Sequence, residues 1–232
     1  VLDSILLERE RATLRIINVD WNAASQMIGR TARTATRVLP PSVELLTLVP
    51  IVDGVPVSAV TLRRSDIERL ETAPAEGILA RAIVTGGAGQ SPDGMVRLEP
   101  YPRFAFAFAP YVEFSLFDPG QPIRAEGGVR LDADLDLAPG IELSTRIKQP
   151  LAGSFDEIER SSNSVLPRVR SDFARYVDSD GPRLDWLTLA HYGRPGDALY
   201  SRLTAGYLER MFAGVSSELL WSPADSRLAL GL

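Results

Sequence analysis

The sequence predicts an α+β protein, a small β-α-β-β-α domain followed by an antiparallel β-meander. Three observations carry this. Trp21 is the only aromatic residue before Tyr101, and the other sixteen of seventeen lie from Tyr101 onward. Apolar residues recur at helical spacing early in the chain and at strand spacing later. Finally, Val129, Leu131, Ala133, Leu135 and Leu137 alternate with Arg130, Asp132, Asp134 and Asp136. After Ala138-Pro139-Gly140, Ile141, Leu143, Thr145 and Ile147 alternate with Glu142, Ser144, Arg146 and Lys148. That pattern describes a hairpin with one apolar and one charged face.

The predicted α/β domain spans residues 10–75. Ala12 to Val19 reads as a strand. Asp20 or Asn22 can cap a helix running to about Leu39. Ala24, Ile28, Thr31/Ala32, Ala35 and Val38/Leu39 form its apolar stripe, and Pro40-Pro41 ends it. Val43 to Val52 and Val55 to Arg63 read as strands joined by Asp53-Gly54, a hairpin signal. Ser65 to Glu68 is a capping box opening a short helix through Leu70. Residues 76–100 read as a linker around one short strand, Ile78 to Thr85.

Residues 101–232 offer strands at 104–108, 111–117, 129–137, 141–148, 168–177, 184–193, 198–209, 215–222 and 227–232. Arg168 to Val177 also fits a helical period. Turns such as Asp118-Pro119-Gly120, Pro195-Gly196-Asp197 and Ser222-Pro223-Ala224-Asp225 separate the strands. Short turns between sequential strands mean a meander, the connectivity of up-and-down barrels. Strands of about nine residues are near the length that crosses a bilayer in a tilted barrel.

Composition narrows the function classes. A formal charge of −5 and the lack of a Lys/Arg-rich block argue against nucleic-acid binding. The absence of cysteine excludes disulfides, thiolate metal sites and a cysteine nucleophile. No stretch is long and apolar enough for a transmembrane helix, which leaves a β-barrel open. The chain opens Val1-Leu2-Asp3 and closes at Leu228-Ala229-Leu230-Gly231-Leu232 inside an expected strand. A segment of a longer protein is therefore expected, with any export signal or lipid-anchor cysteine outside it.

The motifs point away from catalysis. Asp132, Asp134 and Asp136 open like an EF-hand loop, but Leu137 and Leu143 stand where glycine and glutamate are needed. His191 is the only histidine and no Gly-x-Ser-x-Gly accompanies it, so neither a triad nor a multi-histidine metal site is expected. Gly86-Gly87-Ala88-Gly89 lacks the Lys-Ser/Thr of a phosphate loop. Acidic residues are plentiful, but no spacing selects a pair for glycoside cleavage. The candidate functional surface is the polar face of the hairpin: Arg130, Asp132, Asp134, Asp136, Glu142, Arg146 and Lys148. It reads as a solvated sheet face or a water-filled lumen. Trp186, Tyr192, Tyr200, Tyr207, Phe212 and Trp221 fit an interfacial girdle, a sandwich core or a glycan-stacking surface equally well.

Several runs resemble one family. Phe117-Asp118-Pro119-Gly120-Gln121-Pro122-Ile123-Arg124-Ala125 resembles a segment of the YjbH family of exopolysaccharide-biosynthesis outer-membrane proteins. Leu151-Ala152-Gly153-Ser154-Phe155-Asp156 and the run Ser162 to Asp172 are similar to its central signature. Ala205 to Val215, Glu218 to Pro223 and Val55 to Arg64 resemble further segments, in order.

The resemblance implies a Gram-negative envelope protein, an outer-membrane β-barrel with a periplasmic α/β portion. Residues 101–232 would be part of the barrel wall. The implied role is non-enzymatic, in export or assembly of exopolysaccharide or capsule, with no cofactor. The implied partners are outer-membrane lipid, polysaccharide and other secretion-apparatus proteins. The alternative is a soluble β-sandwich that binds glycan through exposed aromatics, with Leu131, Leu135, Ile141 and Leu143 packed against a second sheet. A glycan-modifying enzyme would need a cleft with paired carboxylates.

Overall fold

The computed structural model describes residues 1–86, 94–116, 121–155, 174–177 and 181–232. The chain divides into two compact units. One comprises Val1–Tyr101, Tyr192–Arg202 and Glu218–Leu232, the other Pro102–His191 and Leu203–Ser217.

Within the first unit, Val1–Tyr101 is built on a mixed sheet. Its elements are β1 (Leu2–Leu7), β2 (Arg11–Ile17), α1 (Ala24–Val38), β3 (Leu45–Val52), β4 (Val55–Pro56), β5 (Ala59–Arg63), α2 (Arg64–Arg69), α3 (Ala75–Leu79), β6 (Ile83–Thr85) and β7 (Val96–Arg97). The strand order is β6-β5-β3-β2-β1-β7, with β4 also paired to β3. Only β2 and β3 run parallel, because α1 carries the chain back between them; the other pairs are antiparallel. Ala12, Leu14 and Ile16 of β2 and Leu46 and Leu48 of β3 share one face. They form the core with Met27, Ala32 and Ala35 of α1. The turn between β3 and β4 uses Asp53 at φ 48° and Gly54 at φ 75°, the left-handed pair that a two-residue hairpin demands.

Several local expectations are corrected. β1 lies before the expected start of the domain and completes the sheet by pairing with β2. The α1 N-cap is Ala23, with no side-chain cap; Asn18 closes the preceding turn instead, bonding both the N–H and the carbonyl of Trp21. The capping box also fails. α2 starts at Arg64, and the Ser65 hydroxyl donates to Glu44 at 2.6 Å rather than to the helix backbone. Arg64 serves the other helix. Its guanidinium donates to the carbonyls of Thr36, Leu39 and Pro40 at the α1 C-terminus, where a cation is favoured. Ile78 to Thr85 is a strand only from Ile83; Ile78 and Leu79 end α3. Residues 76–100 hold two strands, β6 and β7, both in the sheet.

The later elements are β8 (Arg103–Leu116), β9 (Ile123–Ala138), β10 (Ile141–Gly153), α4 (Ala174–Val177), β11 (Arg183–Gly196), β12 (Leu199–Glu209), β13 (Phe212–Trp221) and β14 (Leu230–Gly231). Their order is purely sequential, β14-β13-β12-β11-β10-β9-β8. This is the expected antiparallel meander, but with longer strands. The segments at 104–108 and 111–117 are one strand running through Pro110, tolerated because β8 is the end strand of the sheet. Residues 174–177 are helical, the helical alternative for that segment. The last strand contracts to Leu230–Gly231. Among the described residues the sheet is open, with β8 and β14 at its ends, and it is not closed into a barrel. Gly87 to Gly89, Phe117 to Gly120 and the run Ser162 to Asp172 lie outside the described residues.

Candidate functional site

The hairpin of β9 and β10 sets the geometry. Arg130 faces Lys148, Asp132 faces Arg146, Asp134 faces Ser144 and Asp136 faces Glu142. Period-2 alternation therefore puts all seven predicted polar residues on one face. Asp132 takes an ion pair from Arg146 and a second from Arg130 at 3.2 Å. The Ser144 hydroxyl donates to Asp134 at 2.7 Å. Lys148 reaches past its own hairpin, to Glu113 of β8 at 2.9 Å and Asp185 of β11 at 2.7 Å.

Neighbouring strands extend this face. On β8 it carries Arg103, Tyr111 and Glu113; on β9 it continues back through Glu126 to Arg124; on β11 it carries Arg183 and Asp185. These are among the most buried side chains of the sheet: Glu126 is 4% exposed and Arg183 8%. Arg183 and Glu126 pair at 2.5 Å, and the Tyr111 hydroxyl donates to the same carboxylate at 2.9 Å. Arg124 donates to the Ser154 carbonyl at 2.8 Å. Glycine makes room for this packing. A Cβ at Gly128, opposite Tyr111, would lie 2.9 Å from the tyrosine ring and against the Gln149 carbonyl oxygen.

The other face is apolar and uncovered. Phe104, Phe106 and Phe108 stand at 65, 61 and 71% exposure, and their rings touch in sequence along β8. Val112, Phe114 and Leu116 continue the row, and Ile123, Val129, Leu187 and Leu189 extend it over the neighbouring strands. Leu131, Leu135, Ile141 and Leu143 are half-buried by their neighbours on the same face. The single histidine, His191, belongs to this outer face, exposed and opposite Ile141. Trp186 does not join an exterior girdle. It turns to the polar face, lies 4.0 Å from the Arg146 guanidinium and donates to Ser144 at 3.3 Å.

Four groups close a ring on the polar side. Glu113 pairs with Lys148, Lys148 with Asp185, Asp185 with Arg210 at 2.9 Å, and Arg210 with Glu113 at 2.6 Å. Arg210 donates to both Glu113 oxygens, whereas its approach to Asp185 is an ion pair without hydrogen-bond alignment. Arg210 immediately follows β12, four strands from β8 in the sheet order. Flat, those strands would be about 19 Å apart. Direct contact requires the sheet to curl towards its polar face.

Sequence alternation locates Glu126 and Arg124, had it been followed back from Arg130 through Gly128. No local signal locates Arg210, because its role depends on the curl.

Glu113, Glu126, Asp132 and Asp185 of the wall each pair with a cation. Among the described residues no group of three His, Cys, Asp or Glu side chains could hold a metal. A groove of about 690 Å³ in the first unit is lined mainly by apolar residues, among them Ile28, Val60, Leu62, Ile78 and Leu79. The polar wall, not this groove, is where charged groups converge. The first unit has its own buried charge: burial pulls the Arg15 guanidinium below its usual value, with Asp3 opposing and Arg97 adding to the shift.

The family model described as exopolysaccharide biosynthesis protein YbjH, named YjbH, matches residues 1–232. The uncharacterized lipoprotein YjbH of Escherichia coli (strain K12) is 32% identical over 133 residues, which are 56% of this chain and 19% of that protein. The chain thus matches about one-fifth of the length of that relative. No solved structure matches significantly.

Proposed function

The chain belongs to the YjbH exopolysaccharide-biosynthesis family, and from that premise we propose that its meander is part of an outer-membrane β-barrel wall. The role is non-enzymatic, in export or assembly of exopolysaccharide. One observation carries the reading: the sheet is inside out. Ion pairs are buried on its concave side, while phenylalanines and leucines cover its open side. A water-soluble sandwich reverses this order. A barrel in lipid requires it, with apolar residues outward and polar ones towards the lumen.

Strand length and turn lengths support the same reading. β8 to β13 run from ten to sixteen residues, enough to cross a bilayer when tilted. The links β9–β10 and β11–β12 are two residues each, Pro139-Gly140 and Asp197-Ala198, at the end where β8 begins. At the opposite end β12 and β13 are joined by two residues as well, Arg210-Met211, whereas longer stretches of chain connect β8 to β9 and β10 to β11. Barrels of this kind carry their longer loops on the extracellular side and their short turns in the periplasm. The α/β domain is, in this reading, the periplasmic portion. Outer-membrane lipid, polysaccharide and secretion proteins are its expected partners. A relative named as a lipoprotein fits an envelope setting. No described helix is long and apolar enough to cross a membrane.

The glycan-binding sandwich needs a second sheet over Leu131, Leu135, Ile141 and Leu143. Among the described residues these four are only half-buried and belong to no buried hydrophobic cluster. The deciding experiment is fractionation of the full-length protein, with gel migration before and after boiling. Recovery with the outer membrane and heat-modifiable migration are expected. Recovery in the periplasm without detergent defeats the reading.

A further inference from the structure

We infer that this wall encloses a lumen filled by its own side chains, so that polymer does not pass through it. The inference rests on the barrel-wall reading and narrows it from export or assembly to assembly. A barrel of about eight strands closes around side chains, whereas sixteen or more leave an aqueous channel. Here Glu113 of β8 and Arg210 after β12 meet at 2.6 Å across four strand intervals. A wide channel wall would be nearly flat over that span and would hold these groups far apart. The curl is that of a small barrel.

The second step is occupancy. Lys148 and Asp185 complete the ring between Glu113 and Arg210, and every link of it is 2.9 Å or less. The four side chains are mostly buried. Beneath them the Arg183–Glu126 pair and Tyr111 fill the next layer of the same face. Two acids alternate with two cations, so each charge is neutralised by its neighbours. A passage for hydrated glycan would instead leave polar groups facing water.

The third step is how Arg210 is held in place. It sits in a two-residue turn with Met211 at φ 81°, a backbone state costly for a side-chain-bearing residue. The Tyr207 hydroxyl accepts from the Met211 N–H at 2.9 Å and holds the turn inward. The ring is thus a strut between the end strand and a turn, set by local strain.

The test is sugar entry into proteoliposomes holding the full-length protein, read by swelling in raffinose and stachyose. Wild type is expected to swell no faster than protein-free vesicles. Arg210→Ala and Glu113→Gln are expected to speed entry about threefold or more by opening a polar path. Arg210→Lys keeps a cation in the ring and should stay closed. Heat-modifiable migration shows in each case that the barrel has formed. A heat-modifiable wild type that admits stachyose freely overturns the inference while leaving the barrel reading intact. So do heat-modifiable Arg210→Ala and Glu113→Gln proteins that both remain closed. Loss of heat-modifiable migration in wild type overturns the barrel reading and the inference with it.

Discussion

The two sheets solve opposite problems with similar residues. In the α/β unit the apolar side chains are inside: Leu46, Leu48, Val43 and Ala12 are at most 1% exposed. Its exposed ion pairs include Arg37 and Glu71 at 2.9 Å, while Asp3, paired with Arg97, is its buried exception. In the meander the Arg183–Glu126 and Arg210–Glu113 pairs are inside, and Phe104, Phe106 and Phe108 are outside. Both sheets alternate with the same period of two, so the pattern alone does not say which face is buried. What decides is what stands on each side: a helix over β2 and β3 in one case, and the sheet's own curl in the other.

The sharpest test of that contrast is the Arg183–Glu126 pair. Arg183→Met leaves the Glu126 carboxylate buried without its cation, which costs about 3–5 kcal/mol. The readout is the temperature at which heat-modifiable migration is lost. Adding Glu126→Leu removes the stranded charge and should recover most of the loss. A single substitution that costs no more than an exposed pair would show that water reaches this face. Next in size is Leu48→Ala, at 0% exposure in the core of the α/β unit. It should cost about 2–5 kcal/mol in urea unfolding followed by Trp21 fluorescence. Phe108→Ala removes a larger side chain from the outer face and should cost less than about 1 kcal/mol in detergent. Equal costs would mean that the outer face is packed against protein. Gly128→Ala comes third. Its methyl group would press on the Tyr111 ring and the Gln149 carbonyl, a misfit worth about 1–3 kcal/mol. No loss there would mean that Tyr111 does not lie flat over β9.

These tests follow the line between what the sequence makes legible and what it hides. The meander is legible because Leu131, Leu135 and the residues between them alternate cleanly, and alternation is a property of one strand. The seven polar hairpin residues share a face for the same reason. Glu113, Asp185 and Arg210 are different. Each belongs to a separate strand or turn, and their meeting depends on curvature summed over four strand intervals. Helix ends mislead for a related reason. Ser65 and Glu68 have the spacing of a capping box, but Glu44 takes the serine hydroxyl and Arg64 takes Glu68 at 2.9 Å. Glu44, distant in sequence, and Arg64, one helical turn away, override the local motif.

The smallest expected effect is the counterpart of the largest. Arg37 and Glu71 are 73% and 50% exposed, and their pair closes at 2.9 Å, a separation close to that of Arg183 and Glu126. Distance would rank the two pairs alike. Environment separates them, because both partners stay hydrated whether or not they touch. Holding two long side chains together also costs entropy that water-screened attraction barely offsets. Arg37→Ala should change urea stability by less than about 0.5 kcal/mol, and a double-mutant cycle with Glu71→Ala should give a coupling no larger. Raising the salt concentration should erase even that. A coupling above about 1 kcal/mol would mean that this pair is shielded from water in the folded protein. The contrast between a unit with its charges outside and a wall with its charges inside would then lose its clearest surface reference.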